Sequence, residues 1–156
     1  MERVVLHWND RVIPFSGLDK APPTANKRGY YCICGGLLER KQWKHFKLLY
    51  IGKAYTQTIR ERALQTHPAS DKCIDKYLLS NSGLTKWLMY GWIKTSSQKR
   101  MSEEFFSDVE AGLIFSHQPQ CNSDCKIAYQ GRSLEIVNEG GIGGVIKSRC
   151  ICLPEQ

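Results

Sequence analysis

Two apolar runs dominate the first third of the chain, YYCIC at 30–34 and KLLYI at 47–51. Both are rich in residues that favour β-strands, and each stops at a glycine. The segment between them, LLERKQWKHF at 37–46, is mostly polar and basic. We therefore predict a β-hairpin whose tip is enlarged and positively charged.

Helical signals follow the second run. Thr58 and Glu61 have the spacing of a capping box, which predicts a helix that begins at Thr58 and runs to about His67. A second, short helix is predicted over 71–80.

Ser102 predicts the start of a third helix, because serine is a favoured N-cap residue. Glu103 and Glu104 follow in the first turn, where the helix dipole favours acidic side chains. We expect this helix to run to about His117 and to be stopped by Pro119.

The remaining apolar segments predict short strands. They are 4–6, 12–15, 85–95, 134–138 and 145–151, the last two separated by a glycine turn at 140–144. Strands and helices do not alternate regularly, so a doubly wound parallel sheet is not expected. We predict an α+β fold, in which a small central antiparallel or mixed β-sheet of about three strands is flanked by helices, with extra short β segments at both termini.

The clearest linker is GLDKAPPTANK at 17–27, which contains two adjacent prolines. We therefore predict an N-terminal extension and linker over 1–27, a main domain over 28–122 and a C-terminal β extension over 123–156 that packs on the same domain. The length of 156 residues suits one domain with a real core.

The charge balance favours a polyanionic partner, because the chain has 22 Lys and Arg but 15 Asp and Glu, which gives a net charge of +7. No apolar run approaches the length of a membrane span, and the N-terminus lacks the apolar core of a signal peptide. We therefore expect no membrane partner and a cytoplasmic location.

Seven cysteines cannot all pair within one chain. With no export signal, reduced thiols are the simpler expectation. A four-thiolate zinc site built from Cys121, Cys125, Cys150 and Cys152 is an alternative, although neither spacing is the common C-x₂-C.

Glu110 is the first candidate for chemistry. It lies four residues after Phe106, three before Leu113 and four before Ile114, so its carboxylate sits on or beside the buried stripe of the third helix. A carboxylate in apolar surroundings needs a cation. The position alone leaves two partners open, a structural Arg or a divalent metal ion.

A larger set of residues forms an ordered pattern. Its members are Gly29-Tyr30-Tyr31, Tyr50-Ile51-Gly52, Arg60 eight residues after Gly52, Glu110, and Asn122 twelve residues after Glu110. The pattern resembles the GIY-YIG nuclease superfamily over about 29–122. Its spacing is most similar to the N-terminal nuclease module of the bacterial excision-repair nuclease.

The resemblance implies a role for each matched residue. The implied catalytic residues are Tyr31, Tyr50, Lys53, Arg60 and Glu110, with Glu110 as the ligand of a Mg²⁺ or Mn²⁺ ion. The implied supporting residues are Gly29, Gly52, His67 and Asn122. The tyrosines would flank the attacking water, and Lys53 and Arg60 would contact the scissile phosphate.

This chain departs from the family pattern at two places. The two tyrosines are nineteen positions apart, which indicates an insertion in the hairpin. Leu64 replaces the Tyr or His often found one turn after the Arg, and whether His67 substitutes for it is open. We expect one of the two tyrosines to take the proton from water, and the sequence does not decide which.

The hairpin tip carries Arg40, Lys41, Lys44 and Lys47 together with Trp43. Such a cluster is often only a solvated turn. In a nuclease it is also where contacts with DNA phosphates are expected.

We therefore predict a metal-dependent endonuclease that hydrolyses DNA phosphodiester bonds, a stand-alone GIY-YIG enzyme of restriction or phage type. A homodimer would let it cut both strands. The alternatives are a structure-specific repair nickase and a non-catalytic nucleic-acid-binding module of the same fold.

Overall fold

A seven-stranded β-sheet organises the computed structural model, which describes residues 1–94, 101–141 and 144–156. The strands are β1 (Glu2–Trp8), β2 (Ile13–Pro14), β3 (Gly29–Glu39), β4 (Gln42–Ala54), β5 (Thr85–Ile93), β6 (Leu134–Gly140) and β7 (Arg149–Cys152). Their order across the sheet is β4-β3-β5-β1-β6-β7, and the short β2 pairs with part of β5. The pairing of β1 with β6 is parallel, and the other described pairs are antiparallel.

The prediction of a small sheet of about three strands is wrong. The N-terminal segment supplies β1, which lies inside the sheet between β5 and β6. Val4, Leu6 and Trp8 alternate along β1 and are all buried, so this strand belongs to the core. Through β1 the C-terminal strands β6 and β7 join the same sheet, which makes it large and mixed.

Within the described ranges three α-helices pack on the sheet, α1 (Ile59–Leu64), α2 (Pro68–Ser80) and α3 (Glu103–His117). Both predicted helix starts are confirmed. The Thr58 side chain forms the full capping box with Glu61, and the Ser102 hydroxyl accepts a hydrogen bond from the backbone N–H of Phe105. The first helix ends at Leu64, earlier than predicted.

Residues predicted as a linker form two short 3₁₀-helices, Phe15–Lys20 and Pro23–Asn26. They pack with α1 and α2 against one face of the sheet, in a core that includes Leu18 and Ile74. On the opposite face α3 covers a second core through Val109 and Leu113. The sheet is therefore covered on both faces near β4, by α1 and α2 on one face and by α3 on the other.

The hairpin of β3 and β4 has a tight tip, in contrast to the enlarged one predicted. The two strands pair continuously to Glu39 and Gln42, and only Arg40 and Lys41 form the turn. Both turn residues have positive φ values, 50° and 62°, as a two-residue hairpin turn requires. The extra length therefore extends the two strands.

Two boundary predictions reach beyond the described residues. The predicted end of the fifth strand at Thr95 lies outside them, as do Ile142 and Gly143 of the predicted glycine turn. Among the helices that the structure describes, none combines the length and apolar character needed to cross a membrane.

Candidate active site

The candidate site lies at the free edge of β4. Tyr31 on β3 pairs in register with Gly52 on β4, and the Tyr31 ring crosses over this glycine. A Cβ atom at position 52 would lie 2.5 Å from the Tyr31 hydroxyl oxygen, so only glycine leaves room for the ring. Tyr50 stands beside it, with the two ring centroids 6.1 Å apart.

His67 completes a cluster of three rings. Its ring centroid lies 6.1 Å from that of Tyr50 and 6.5 Å from that of Tyr31. Its Nε2 atom lies 3.1 Å from the carbonyl oxygen of Arg62 and 3.4 Å from the Tyr31 hydroxyl. Because a carbonyl only accepts, the first contact requires a proton on Nε2.

Glu110 of α3 faces this cluster across a groove. Burial raises the pKa of its carboxyl, while the Lys53 ammonium, a hydrogen bond from the Lys53 backbone and the Arg62 guanidinium act in the opposite direction. Lys53 also joins β4 to α3, because its Nζ donates a hydrogen bond to the Ser107 hydroxyl. The carboxylate is therefore held next to two cations at the strand edge.

Burial raises the pKa of both tyrosine hydroxyls at the site. The interaction between the two hydroxyl groups raises the pKa of Tyr31 further and lowers that of Tyr50. Of the two, Tyr50 is therefore the one whose deprotonated form is stabilised by its neighbour.

Asn122 binds the β4 edge directly. Its Oδ1 accepts from the Ile51 backbone N–H at 2.9 Å, and its Nδ2 donates to the Ile51 carbonyl at 2.9 Å. The side chain thus satisfies both backbone groups of one edge residue, as a neighbouring strand would. This is the contact that the predicted bracing role requires.

Arg60 does not join the cluster. Its guanidinium donates hydrogen bonds to the carbonyls of Asp19 and Ala21, at 3.3 Å and 2.6 Å, on the 3₁₀ segment. Residues two apart on a helix point in nearly opposite directions, since each step turns by about 100°. Arg62 accordingly faces the site, where its charge lowers the pKa of Tyr31, Tyr50 and Glu110.

Gly29 also lies away from the groove, at the start of β3. A Cβ atom there would collide with the carbonyl oxygen of Gly91 on β5. This glycine therefore permits close strand packing under the site and contacts none of the reactive side chains.

The groove itself has a volume of about 620 Å³. Its walls include Tyr50, His67, Glu110, Asn122 and Asp124. The charge of Asp124 raises the pKa of Glu110, and both carboxylates belong to the walls of the groove. Sequence reasoning missed Asp124, because nothing in its local pattern separates it from a solvated loop residue.

A disulfide between Cys73 and Cys121 borders the groove and connects α2 to the loop after α3. The expectation of reduced thiols is therefore wrong for these two residues, and the alternative zinc site loses Cys121. Cys125, which also lines the groove, is free. The sequence carried no signal for the pairing, since the partners are 48 positions apart.

The donor set suits a magnesium or manganese ion that keeps much of its water shell. Within the part of the chain that the structure describes, no three His, Cys, Asp or Glu side chains form a complete metal cage. Mg²⁺ commonly uses one or two carboxylates and completes its shell with water and substrate phosphate. Glu110, with Asp124 nearby, meets that requirement.

The basic hairpin residues lie along β4 and in the turn that precedes it. Lys47 lies over the Tyr77 ring at 5.5 Å, and Lys44 pairs with Glu39 at 2.7 Å. Arg40 and Lys41 occupy the turn at the far end, about 30 Å from Tyr50 at the usual rise per strand residue. The four cations are thus spread along one hairpin arm.

Comparisons with protein-family models, with curated proteins and with solved structures found no match.

Proposed function

We propose that this protein is a metal-dependent endonuclease of the GIY-YIG type that hydrolyses phosphodiester bonds in DNA. The observation that supports it best is the convergence at the β4 edge of Tyr31, Tyr50, His67, Arg62 and Glu110. These residues come from β3, β4, α1, α3 and the start of α2. A core needs no half-buried carboxylate facing two tyrosines and an arginine, whereas metal-dependent phosphodiester hydrolysis uses a carboxylate for the metal, a cation for the phosphate and a base for the water.

In this proposal each side chain has a separate task. Arg62 and Lys53 bind non-bridging oxygens of the scissile phosphate, because both carry a positive charge that acts on Glu110. Glu110 holds the divalent ion, which supplies further positive charge at the phosphate when it is bound. Asn122 keeps the β4 edge in place under Tyr50.

Tyr50, in its deprotonated form and with its own proton released to solvent, takes the proton from the attacking water. Burial raises the pKa of Tyr50, while the Arg62 charge and the interaction with Tyr31 act in the opposite direction. Because the same interaction raises the pKa of Tyr31, Tyr50 is the better base of the pair. Tyr31 in turn lies 3.4 Å from Nε2 of His67. His67 is therefore placed to orient the two tyrosines.

The basic hairpin provides the DNA-binding arm. Lys44, Lys47, Arg40 and Lys41 neutralise backbone phosphates on one side of the cut, which adds affinity without reading sequence. The net charge of +7 agrees with such a partner.

The test uses supercoiled plasmid with wild type, Glu110→Gln and the matched control Glu103→Gln, which changes an exposed glutamate on the same helix. We expect wild type and the control to cut with Mg²⁺ or Mn²⁺, and no cutting in EDTA or by Glu110→Gln. Nicked circles would indicate cleavage of one strand at a time, and linear products cleavage of both. DNA binding without cleavage by wild type would contradict the proposal and favour a binding module.

A further inference from the structure

A second cavity lies beside the candidate active site. It has a volume of about 370 Å³, and its walls include Lys27, Arg28, Tyr55, Trp92 and Phe106. Two elements connect it with the active site. Phe106 lies four residues before Glu110 on α3, one helical turn or about 6 Å along the axis, and Tyr55 lies two residues after Lys53.

The cavity carries two cations on aromatic supports. The Lys27 ammonium lies 4.7 Å from the centre of the Trp92 ring, and the Arg28 guanidinium lies 5.0 Å from the centre of the Tyr55 ring. A ring face orients a cation without neutralising its charge. Both side chains are exposed, and the salt bridges found among the described residues involve other cations.

The segment that carries these two cations is anchored through its backbone. The carbonyl of Lys27 accepts a hydrogen bond from the Ile59 N–H at 2.9 Å, which ties this segment to the start of α1. The Tyr55 hydroxyl donates to the Met101 carbonyl at 3.1 Å. The backbone at Lys27 and the Tyr55 ring are therefore held in place before any ligand arrives, and the exposed Lys27 and Arg28 side chains extend from this anchored segment.

We propose that this cavity binds the nucleotide next to the scissile phosphate in the DNA strand, an inference that rests on the proposed nuclease function. Lys27 and Arg28 contact the neighbouring phosphate. The exposed parts of Trp92 and Tyr55 contact the sugar or base attached to it, since aromatic faces stack on any base. A nucleic-acid strand alternates charged phosphates with less polar sugars and bases. The cavity offers cations for the first and aromatic surface for the second.

The first experiment measures binding of a fluorescent DNA duplex in EDTA, so that it does not depend on cleavage. It compares wild type with Lys27→Ala/Arg28→Ala and with Lys72→Ala/Lys76→Ala, a matched pair of exposed lysines on α2. For the cavity variant we expect the slope of log affinity against log salt to fall by about 0.9 for each phosphate that the variant no longer neutralises. The control pair should keep the wild-type slope, and all three proteins should keep the same thermal midpoint.

The second experiment replaces single phosphates of the duplex by neutral methylphosphonates, one position at a time. We expect one position adjacent to the cut to weaken binding of wild type and to leave binding of Lys27→Ala/Arg28→Ala unchanged. Equal losses in both proteins would overturn the cavity proposal and leave the nuclease proposal intact. A wild type that neither binds nor cuts DNA would instead contradict the nuclease function and the cavity proposal with it.

Discussion

Glu110 is held where its ionised form is disfavoured. Burial raises the pKa of its carboxyl above the ordinary value of 4.5. A group whose pKa is higher in the folded than in the unfolded state stabilises the fold below its unfolded pKa. That stabilisation disappears as the pH rises through the folded pKa. At neutral pH the charged carboxylate therefore destabilises the metal-free protein relative to a neutral amide.

We expect Glu110→Gln to raise the thermal midpoint of the metal-free protein at pH 7 and to leave it nearly unchanged at pH 4. Mg²⁺ or Mn²⁺ should raise the midpoint of wild type, because a ligand that binds only the folded state stabilises it. The variant should lose that response. Thermal unfolding with EDTA and with each metal measures both effects, and an equal metal response in the two proteins would remove Glu110 from the metal site.

The two tyrosines should differ in their effect on cleavage. Tyr50→Phe removes the proposed base and should lower kcat/KM by about 10² to 10⁴. Tyr31→Phe removes the hydroxyl that lowers the pKa of Tyr50 and contacts His67, so it should reduce the rate less and move the pH profile to higher pH. Cleavage rates measured across pH test this assignment. A larger loss for Tyr31→Phe, with DNA binding unchanged in both variants, would reverse it.

The two arginines of α1 provide a matched pair with opposite expectations. Arg62→Ala should lower cleavage by about 10² or more while leaving stability nearly unchanged, because its charge faces Tyr50 and Glu110. Arg60→Ala removes hydrogen bonds to two backbone carbonyls and should lower the free energy of unfolding by about 1–3 kcal/mol. Urea unfolding and initial cleavage rates separate the two effects, and the reverse pattern would restore Arg60 to the site.

The sequence identifies the helix on which the functional arginine lies, and the structure selects which arginine it is. Counting eight residues from Gly52 leads to Arg60, whereas the direction of a helical side chain is set by where the helix begins. The capping box fixes that beginning at Thr58 and is visible in the sequence. What the sequence lacks is the position of the 3₁₀ segment whose carbonyls bind Arg60.

At the scale of elements, the Cys73–Cys121 disulfide connects α2 with the loop that carries Asn122. A crosslink across 48 positions restricts the unfolded chain, and its loss costs about 4 kcal/mol in the chain-entropy treatment. We expect Cys73→Ala/Cys121→Ala to lose about that much stability and part of its cleavage rate, because the Asn122 contact with β4 is loosened. Urea unfolding with and without a dithiol measures it. Wild type should respond to the dithiol and the variant should not; a dithiol response in the variant would assign the effect to other cysteines.

Local signals predict the elements of this fold better than they predict its sheet. Thr58 and Ser102 are N-caps whose partners lie within three residues, so their helices are visible in the sequence. The Arg40–Lys41 turn has none of the glycine or asparagine typical of its geometry. The sequence therefore does not show how far the two hairpin strands extend. Strand pairing depends on contacts between distant segments, as between β1 and β6, and a short apolar run does not reveal its neighbours.

At the scale of the whole molecule, β1 holds the two halves of the sheet together. On one side β1 pairs with β5, and β3 and then β4, which carries the site, follow in the sheet. On the other side β1 pairs with β6, and β6 pairs with β7. Its side chains Leu6 and Trp8 are fully buried, and the Trp8 indole donates to Asn138 of β6 at 2.8 Å. A segment predicted as an extension is therefore central to the core.

This arrangement predicts that the N-terminal strand and the candidate site unfold together. Leu6→Ala removes a fully buried side chain and should cost about 2–5 kcal/mol, whereas the matched change Leu153→Ala, at a residue 58% exposed, should cost little. We expect Leu6→Ala to keep a single transition in urea, with fluorescence and circular dichroism coinciding, and the metal response at Glu110 to disappear in the same step. Two separated transitions would instead mean that β1, β6 and β7 form an independent unit, and that the site on β4 folds without them.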